Sequence, residues 1–146
     1  MSVKIFVDTN VLVSFRDSTE GDKQILAGQW LKWLWDNRCG CLSYQVLMEY
    51  YVTVTQKLTP GLDSATARND VMDLLTWNPL AIDSSVVHGA WKVQDRYLLS
   101  WWDALIVSAA HITGSSHLLT EDLQQGQEYF ELTAINPFVV QPHDLV

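Results

Sequence analysis

The chain has 146 residues, of which 48% are hydrophobic and 18% are charged. This length and composition predict one folded domain over residues 1–146 and exclude a disordered chain. The formal net charge of -8 excludes binding to nucleic acid by positive charge alone, so a nucleic-acid substrate would need a cation, a local basic patch or a second subunit.

Signals for a membrane, for secretion and for disulfide bonding are weak. No apolar run reaches the length of a membrane span, and no signal peptide is recognisable, so we expect a cytoplasmic protein with no membrane partner. Cys39 and Cys41 are separated by one residue, which is too close for an ordinary disulfide, and no second ligand pair for zinc accompanies them. We therefore expect reduced, partly buried thiols.

The predicted elements alternate between strands and helices. The run Val3–Val7, broken only by Lys4, predicts a strand buried on both faces, as in the centre of a parallel sheet. The further elements predicted in chain order are a helical turn over 10–15, a helix over 23–37, a strand at 41–42, a helix over 44–58, a helix from 63 or 64 to about 77, a strand over 80–82, helices over 83–99 and 100–114, and strands over 117–120 and 132–135. This alternation predicts an α/β fold with a central, mostly parallel sheet of about five strands and helices on both sides.

Four acidic residues lie in apolar surroundings near one predicted edge of this sheet. Asp8 and Asp122 each follow a strand, Glu49 lies one to two turns into its helix, and Asp103 lies in the first turn of its helix. Open α/β sheets bind ligands at the carboxyl ends of their strands, so we expect the four to lie close together. Such a cluster repels itself unless a cation lies within it, and ligands that are all oxygen favour Mg²⁺ or Mn²⁺ over zinc.

Each acid also has an ordinary structural interpretation. Asp103 follows Ser100 by three residues, so the pair is equally a helix-capping box, and Asp122 taken alone is an ordinary loop acid. Glu49 and Asp8 are harder to explain in this way, because a buried acid without a partner is energetically expensive. The hypothesis of a metal site therefore depends on the four acids together.

Four segments carry a family resemblance that covers nearly the whole chain. They are Asp8-Thr9-Asn10, Leu42-Ser43 through Glu49-Tyr50, Ser100 through Ile106, and Leu119-Thr120-Glu121-Asp122. In order and spacing these segments resemble the PIN-domain nucleases, and among them the VapC-type toxins of bacterial toxin–antitoxin pairs.

The resemblance implies a PIN-like fold and a Mg²⁺- or Mn²⁺-dependent endoribonuclease. It implies that Asp8, Glu49, Asp103 and Asp122 bind one or two ions and are catalytic, with Thr9, Asn10 and Thr120 as supporting residues. It also implies an RNA substrate, products with a 5′-phosphate and a 3′-hydroxyl, and a cognate antitoxin or a second copy of the chain as partner.

Some basic and aromatic residues suggest contacts outside the acidic cluster. RNA phosphates could be bound by four basic residues, Arg16, Lys57, Lys92 and Arg96, although solvated surface charge is the simpler interpretation. Trp30, Trp33 and Trp35 cannot all point inward from one helix, which suggests a partner groove and a homodimer.

Two other functions remain open from the sequence, and a third is disfavoured. A catalytically silent RNA- or protein-binding module could retain the fold without cleavage, and a DNA-cutting nuclease of the same fold has no distinguishing sequence feature. A haloacid-dehalogenase-like phosphatase is disfavoured, because it requires a second aspartate two residues after Asp8, where this chain has Asn10.

Overall fold

A five-stranded sheet forms the centre of the computed structural model, which describes residues 3–145. The strands are β1 (Ile5–Val7), β2 (Gly40–Cys41), β3 (His117–Leu119), β4 (Glu128–Tyr129) and β5 (Leu132–Ile135). Their order is β2-β1-β3-β5-β4, and all neighbours are parallel except β4 and β5. β1 lies between two strands and is wholly buried, as its apolar run predicts. The predicted α/β fold with a mostly parallel sheet is confirmed.

Six α-helices connect and cover these strands in the described part of the chain. They are α1 (Thr9–Arg16), α2 (Asp22–Asn37), α3 (Tyr44–Val52), α4 (Ser64–Leu75), α5 (Ser84–Arg96) and α6 (Trp101–Ile112). Ser43, Asp63 and Ser100 cap α3, α4 and α6, because each side-chain oxygen accepts a hydrogen bond from the backbone N–H three residues later. Helix starts were thus predictable from local sequence.

Three predicted elements differ from the structure. The continuous helix predicted over 44–58 ends at Val52, and a π-helical turn follows over Thr53–Lys57. The strand predicted over 80–82 is wrong, because Leu80 forms only an isolated parallel bridge with Ser43. The helix predicted over 83–99 ends at Arg96.

The edge strand β4 was not predicted. Its two residues pair with Thr133 and Leu132 of β5, so the sheet reaches five strands with a different fifth member from the one predicted. A strand of two residues has too little periodic sequence to be recognised, and pairing with β5 is what defines it.

The three tryptophans of α2 differ in their burial. Trp30 is buried and donates its indole N–H to the carbonyl oxygens of Pro137 and Val140. Trp33 packs against the core, and the ring of Trp35 packs on that of Trp77. Packing therefore accounts for Trp30 and Trp33, whereas Trp35 is 40% exposed and the predicted partner groove stays a prediction.

The two cysteines are not bonded to each other. Cys39 and Cys41 are free, the first buried and the second half-buried, as expected. Within residues 3–145 no helix has both the length and the apolar character that a membrane crossing requires.

Candidate acidic site

The strand register brings Asp8 and Thr120 together at the carboxyl edge of the sheet. Val7 of β1 lies opposite Leu119 of β3, so the residues that follow them leave the sheet side by side. The backbone N–H of Asp8 donates to the carbonyl of Leu119, and the hydroxyl of Thr120 donates to Oδ2 of Asp8 at 2.9 Å. Asp8 also caps α1, since its Oδ1 accepts from the N–H of Thr9 at 2.7 Å.

The amide of Asn10 connects this pair to Asp122. Its Nδ2 lies 3.2 Å from Oδ2 of Asp8, 3.0 Å from Oγ1 of Thr120 and 3.1 Å from Oδ2 of Asp122, and its Oδ1 accepts from the backbone N–H of Glu121 at 3.2 Å. An amide nitrogen has two hydrogens for these three acceptors, so one hydrogen is shared. Asn10 therefore holds the loop after β3 against the loop after β1.

Burial makes the carboxyl group of Asp8 unusually basic. Loss of hydration is the largest cause and raises its pKa from 3.8 to about 7, although hydrogen bonds from Thr120 and Thr9 oppose the rise. The negative charges of Asp122 and Asp103 raise this pKa further. A residue only 6% exposed thus faces two other carboxylates at a strand end.

Asp103 completes a group of three mutually repelling acids. Ser100 accepts a hydrogen bond from the backbone N–H of Asp103 at 3.1 Å, so the capping interpretation is correct for the start of α6. Burial raises the pKa of the Asp103 carboxyl group, a hydrogen bond with Ser100 opposes the rise, and the charge of Asp122 adds to it. Capping and membership of the acidic group therefore coexist at Asp103.

Glu49 has a different environment from the other three acids. Its side chain is exposed on α3, and its Oε1 accepts a hydrogen bond from Nε2 of Gln45 at 2.7 Å. The charge of Glu49 is not among the causes that raise the pKa of Asp8 or Asp103, whereas the charge of Asp122 raises both. The structure thus shows charge interactions among three of the four predicted acids.

Two buried oxygens bear on whether these residues could hold a cation. Within residues 3–145 no three acidic, histidine or cysteine side chains are gathered tightly enough to form a complete metal-binding group. However, Thr9 Oγ1 and Gln45 Oε1 are the buried side-chain oxygens of the described chain that lack a hydrogen-bond partner. Thr9 directly follows Asp8, and Gln45 precedes Glu49 by one helical turn. Unpaired oxygens beside hard carboxylate donors fit a hydrated Mg²⁺ or Mn²⁺ ion.

The basic residues predicted to contact RNA have different surroundings. Arg16 forms a bidentate ion pair with Asp70, at 2.8 and 2.7 Å, which occupies its guanidinium group. Lys57 and Lys92 are exposed, and the guanidinium of Arg96 lies 5.3 Å from the centre of the Phe130 ring. Of these four residues, Arg16 is thus the one with an ion pair among the described residues, Arg96 lies over aromatic rings, and Lys57 and Lys92 are exposed.

Sequence inspection missed two polar features near the site. Gln45 was not recognised, although a glutamine between apolar residues and one turn before an acid is a usable signal. The second feature is the ion pair of Arg16 and Asp70. Asp70 also accepts a hydrogen bond from Tyr50, so these contacts join α1, α3 and α4. No local sequence pattern predicts contacts between residues so far apart in the chain.

Comparisons with known proteins identify the family. The toxin–antitoxin complex from Klebsiella pneumoniae has a chain that is 19% identical, with a TM-score of 0.63, covering 92% of this chain and 98% of that chain. VapBC2 from Rickettsia felis, bound to a DNA fragment from their promoter, has a chain that is 15% identical, with a TM-score of 0.60 and the same two coverages. These identities show a shared fold alone, and no curated protein matches the sequence significantly. The PIN domain model matches residues 5–128, so the chain belongs to the PIN domain family.

Proposed function

We propose that this protein is a Mg²⁺- or Mn²⁺-dependent endoribonuclease of the VapC toxin type. The observation that carries the proposal is the buried carboxyl group of Asp8, which faces the charges of Asp122 and Asp103 where β1 and β3 end. Such a group is costly to ionise unless positive charge is supplied. Membership of the PIN family and the fold shared with chains of two toxin–antitoxin complexes support the proposal.

The chain's own residues would prepare the site for an ion. Asp8, Asp103 and Asp122, with Glu49 from α3, are the carboxylates that would hold it. When bound, the ion would lower the pKa of a water molecule and neutralise charge on the phosphate. Thr120 and Asn10 fix the Asp8 carboxylate by hydrogen bonds, and the capped start of α6 fixes Asp103.

The proposed reaction is hydrolysis of an RNA phosphodiester bond in the cytoplasm. Attack by water would leave a 5′-phosphate and a 3′-hydroxyl. Because the chain carries a net charge of -8, the cation would also allow the RNA backbone to approach the acidic edge. Exposed Lys57 and Lys92 are the better candidates for phosphate contacts, since the guanidinium of Arg16 is engaged by Asp70 and that of Arg96 lies on aromatic rings.

The proposed partners are an antitoxin protein and a second copy of this chain. One structural neighbour is a chain of a toxin–antitoxin complex and the other a chain of VapBC2, which supports an antitoxin partner. Met48 on α3 and Met72 on α4 are 61% and 65% exposed beside an apolar groove, so this surface supports a protein partner.

A cleavage assay tests the activity. Single-stranded RNA, structured RNA and DNA of the same sequence are incubated with the protein and Mg²⁺, Mn²⁺ or EDTA. We expect RNA cleavage that EDTA abolishes, and a loss of about a hundredfold or more in Asp8→Asn, which removes a charged ligand while keeping its shape. Asp95→Asn removes an exposed charge from α5 and serves as the matched control.

Each alternative predicts a different result of this assay. Cleavage of DNA but not RNA would establish the DNA-cutting alternative. RNA binding without cleavage under any divalent ion would establish the silent module. Undiminished cleavage by Asp8→Asn would refute the proposed mechanism.

A further inference from the structure

Gln45 has an unusual environment for a glutamine. It lies in the first turn of α3, is only 7% exposed, and is followed by the buried apolar residues Val46 and Leu47. Its Nε2 donates to Glu49 at 2.7 Å, but its Oε1 is buried and has no partner. A buried acceptor without a partner destabilises the fold, so a methionine of similar length would suit this position better on packing grounds.

The position of Gln45 relates it to the acidic edge. Cys41 of β2 lies opposite Phe6 of β1, so the two strands end at the same edge and α3 begins there, at Tyr44. Gln45 is one helical turn, or about 6 Å along the axis, closer to this edge than Glu49.

The hydrogen bond also fixes the side chain of Glu49. An exposed glutamate on a helix surface samples several rotamers, and ordering it costs conformational entropy. The bond from the rigid, buried amide of Gln45 selects one orientation, because side chains four residues apart face the same side of a helix.

We propose that Gln45 is a positioning residue for the cation site, an inference that rests on the proposed function. Its Nε2 holds the Glu49 carboxylate in one orientation for the ion. A residue with only a packing role would leave cation affinity unchanged when replaced by methionine.

Calorimetric titration of the RNA-free protein with Mn²⁺ tests this inference. We expect Gln45→Met to weaken Mn²⁺ binding by about tenfold, the lower end of the effect of residues that orient metal ligands. Its melting temperature without metal should be unchanged or higher, since the unpaired acceptor is removed. The matched control is Gln24→Met, which removes an amide hydrogen bond to Phe15 from α2 and should leave Mn²⁺ affinity unchanged.

A double-mutant cycle shows whether Gln45 acts through Glu49. Mn²⁺ affinity is measured for Gln45→Met, Glu49→Gln and the double variant. We expect the double variant to bind only slightly less tightly than Glu49→Gln, because the positioned group is already lost. If the fold-changes of the single variants multiply, or if Gln45→Met binds as tightly as the unaltered protein, the inference is wrong.

Two further variants separate the possible failures. Gln45→Asn keeps the amide but is too short to reach Glu49, and should reproduce the loss if Gln45→Met fails to fold. Asp8→Asn reports on the cation site itself. If the unaltered protein binds no Mn²⁺, or if Asp8→Asn binds it equally well, the proposed function and this inference both fail. If Asp8→Asn loses binding while both Gln45 variants retain it, only the inference fails.

Discussion

Replacement of Asp8 by asparagine should stabilise the metal-free protein at neutral pH and destabilise it in acid. The folded-state pKa of Asp8 lies above its unfolded value, so the folded chain binds a proton more tightly. The contribution of protonated Asp8 to the free energy of unfolding is therefore fully present below about pH 4 and is lost as pH rises through about 7. An asparagine does not titrate and escapes this loss.

The magnitude follows from the pKa and the hydrogen bonds. The interval from 3.8 to about 7, at 1.36 kcal/mol per pKa unit, corresponds to about 4 kcal/mol. In Asp8→Asn, an NH₂ group in place of Oδ2 would face two hydrogen-bond donors, the Thr120 hydroxyl and the Asn10 amide. The disturbed hydrogen bonds should lower stability by about 2 kcal/mol. Asp8→Asn should thus be more stable than the unaltered protein by about 2 kcal/mol above pH 7.5, and less stable by about 2 kcal/mol at pH 4.

Urea denaturation in EDTA at pH 4, 5.5 and 7.5 measures this difference. Asp95→Asn, which removes an exposed charge, should follow the unaltered protein at every pH. Mn²⁺ at a hundredfold excess over its Kd should stabilise the unaltered protein by about 2.7 kcal/mol and should have little effect on Asp8→Asn. If the free energies of unfolding of Asp8→Asn and the unaltered protein differ by the same amount at every pH, then Asp8 is not a buried acid with a raised pKa.

Two further predictions concern the scaffold. Asp70→Asn should lower the free energy of unfolding by about 2 kcal/mol, because it breaks the half-buried bidentate pair with Arg16 and weakens the contact with Tyr50. An unchanged midpoint of urea denaturation would contradict this prediction. Gly40→Ala should lower the melting temperature and change tryptophan fluorescence, because the added methyl group would overlap the ring of Trp77. The expected loss of stability is about 1–3 kcal/mol. A melting temperature equal to that of the unaltered protein would show that the ring is free to move.

Local sequence was sufficient for those elements whose causes are local. The caps at Ser43, Asp63 and Ser100 bond to residues three positions away, so the starts of three helices could be predicted from side-chain type alone. The apolar run that ends at Asp8 indicated a central buried strand followed by an acid at its carboxyl end, and the structure has both.

Elements that are defined by distant partners could not be predicted in this way. β4 exists because Tyr129 pairs with Leu132, whereas Leu80 lacks further pairing beyond its bridge to Ser43 and forms no strand. The direction of Trp30 depends on carbonyl groups more than 100 residues later, since Pro137 and Val140 accept its indole N–H. In each case the deciding contact is long-range, and a periodic pattern carries no information about it.

The acidic site shows the same division. The sequence by itself identified the four acids and the strand ends, because an acid that follows or interrupts an apolar segment is visible without a structure. Only the tertiary structure decided that burial raises the pKa of Asp8, that Asn10 joins Asp8 to Asp122, and that Glu49 accepts a hydrogen bond from the buried Gln45. Hydration and hydrogen-bond partners depend on which distant segments surround a side chain, and folding alone fixes those surroundings.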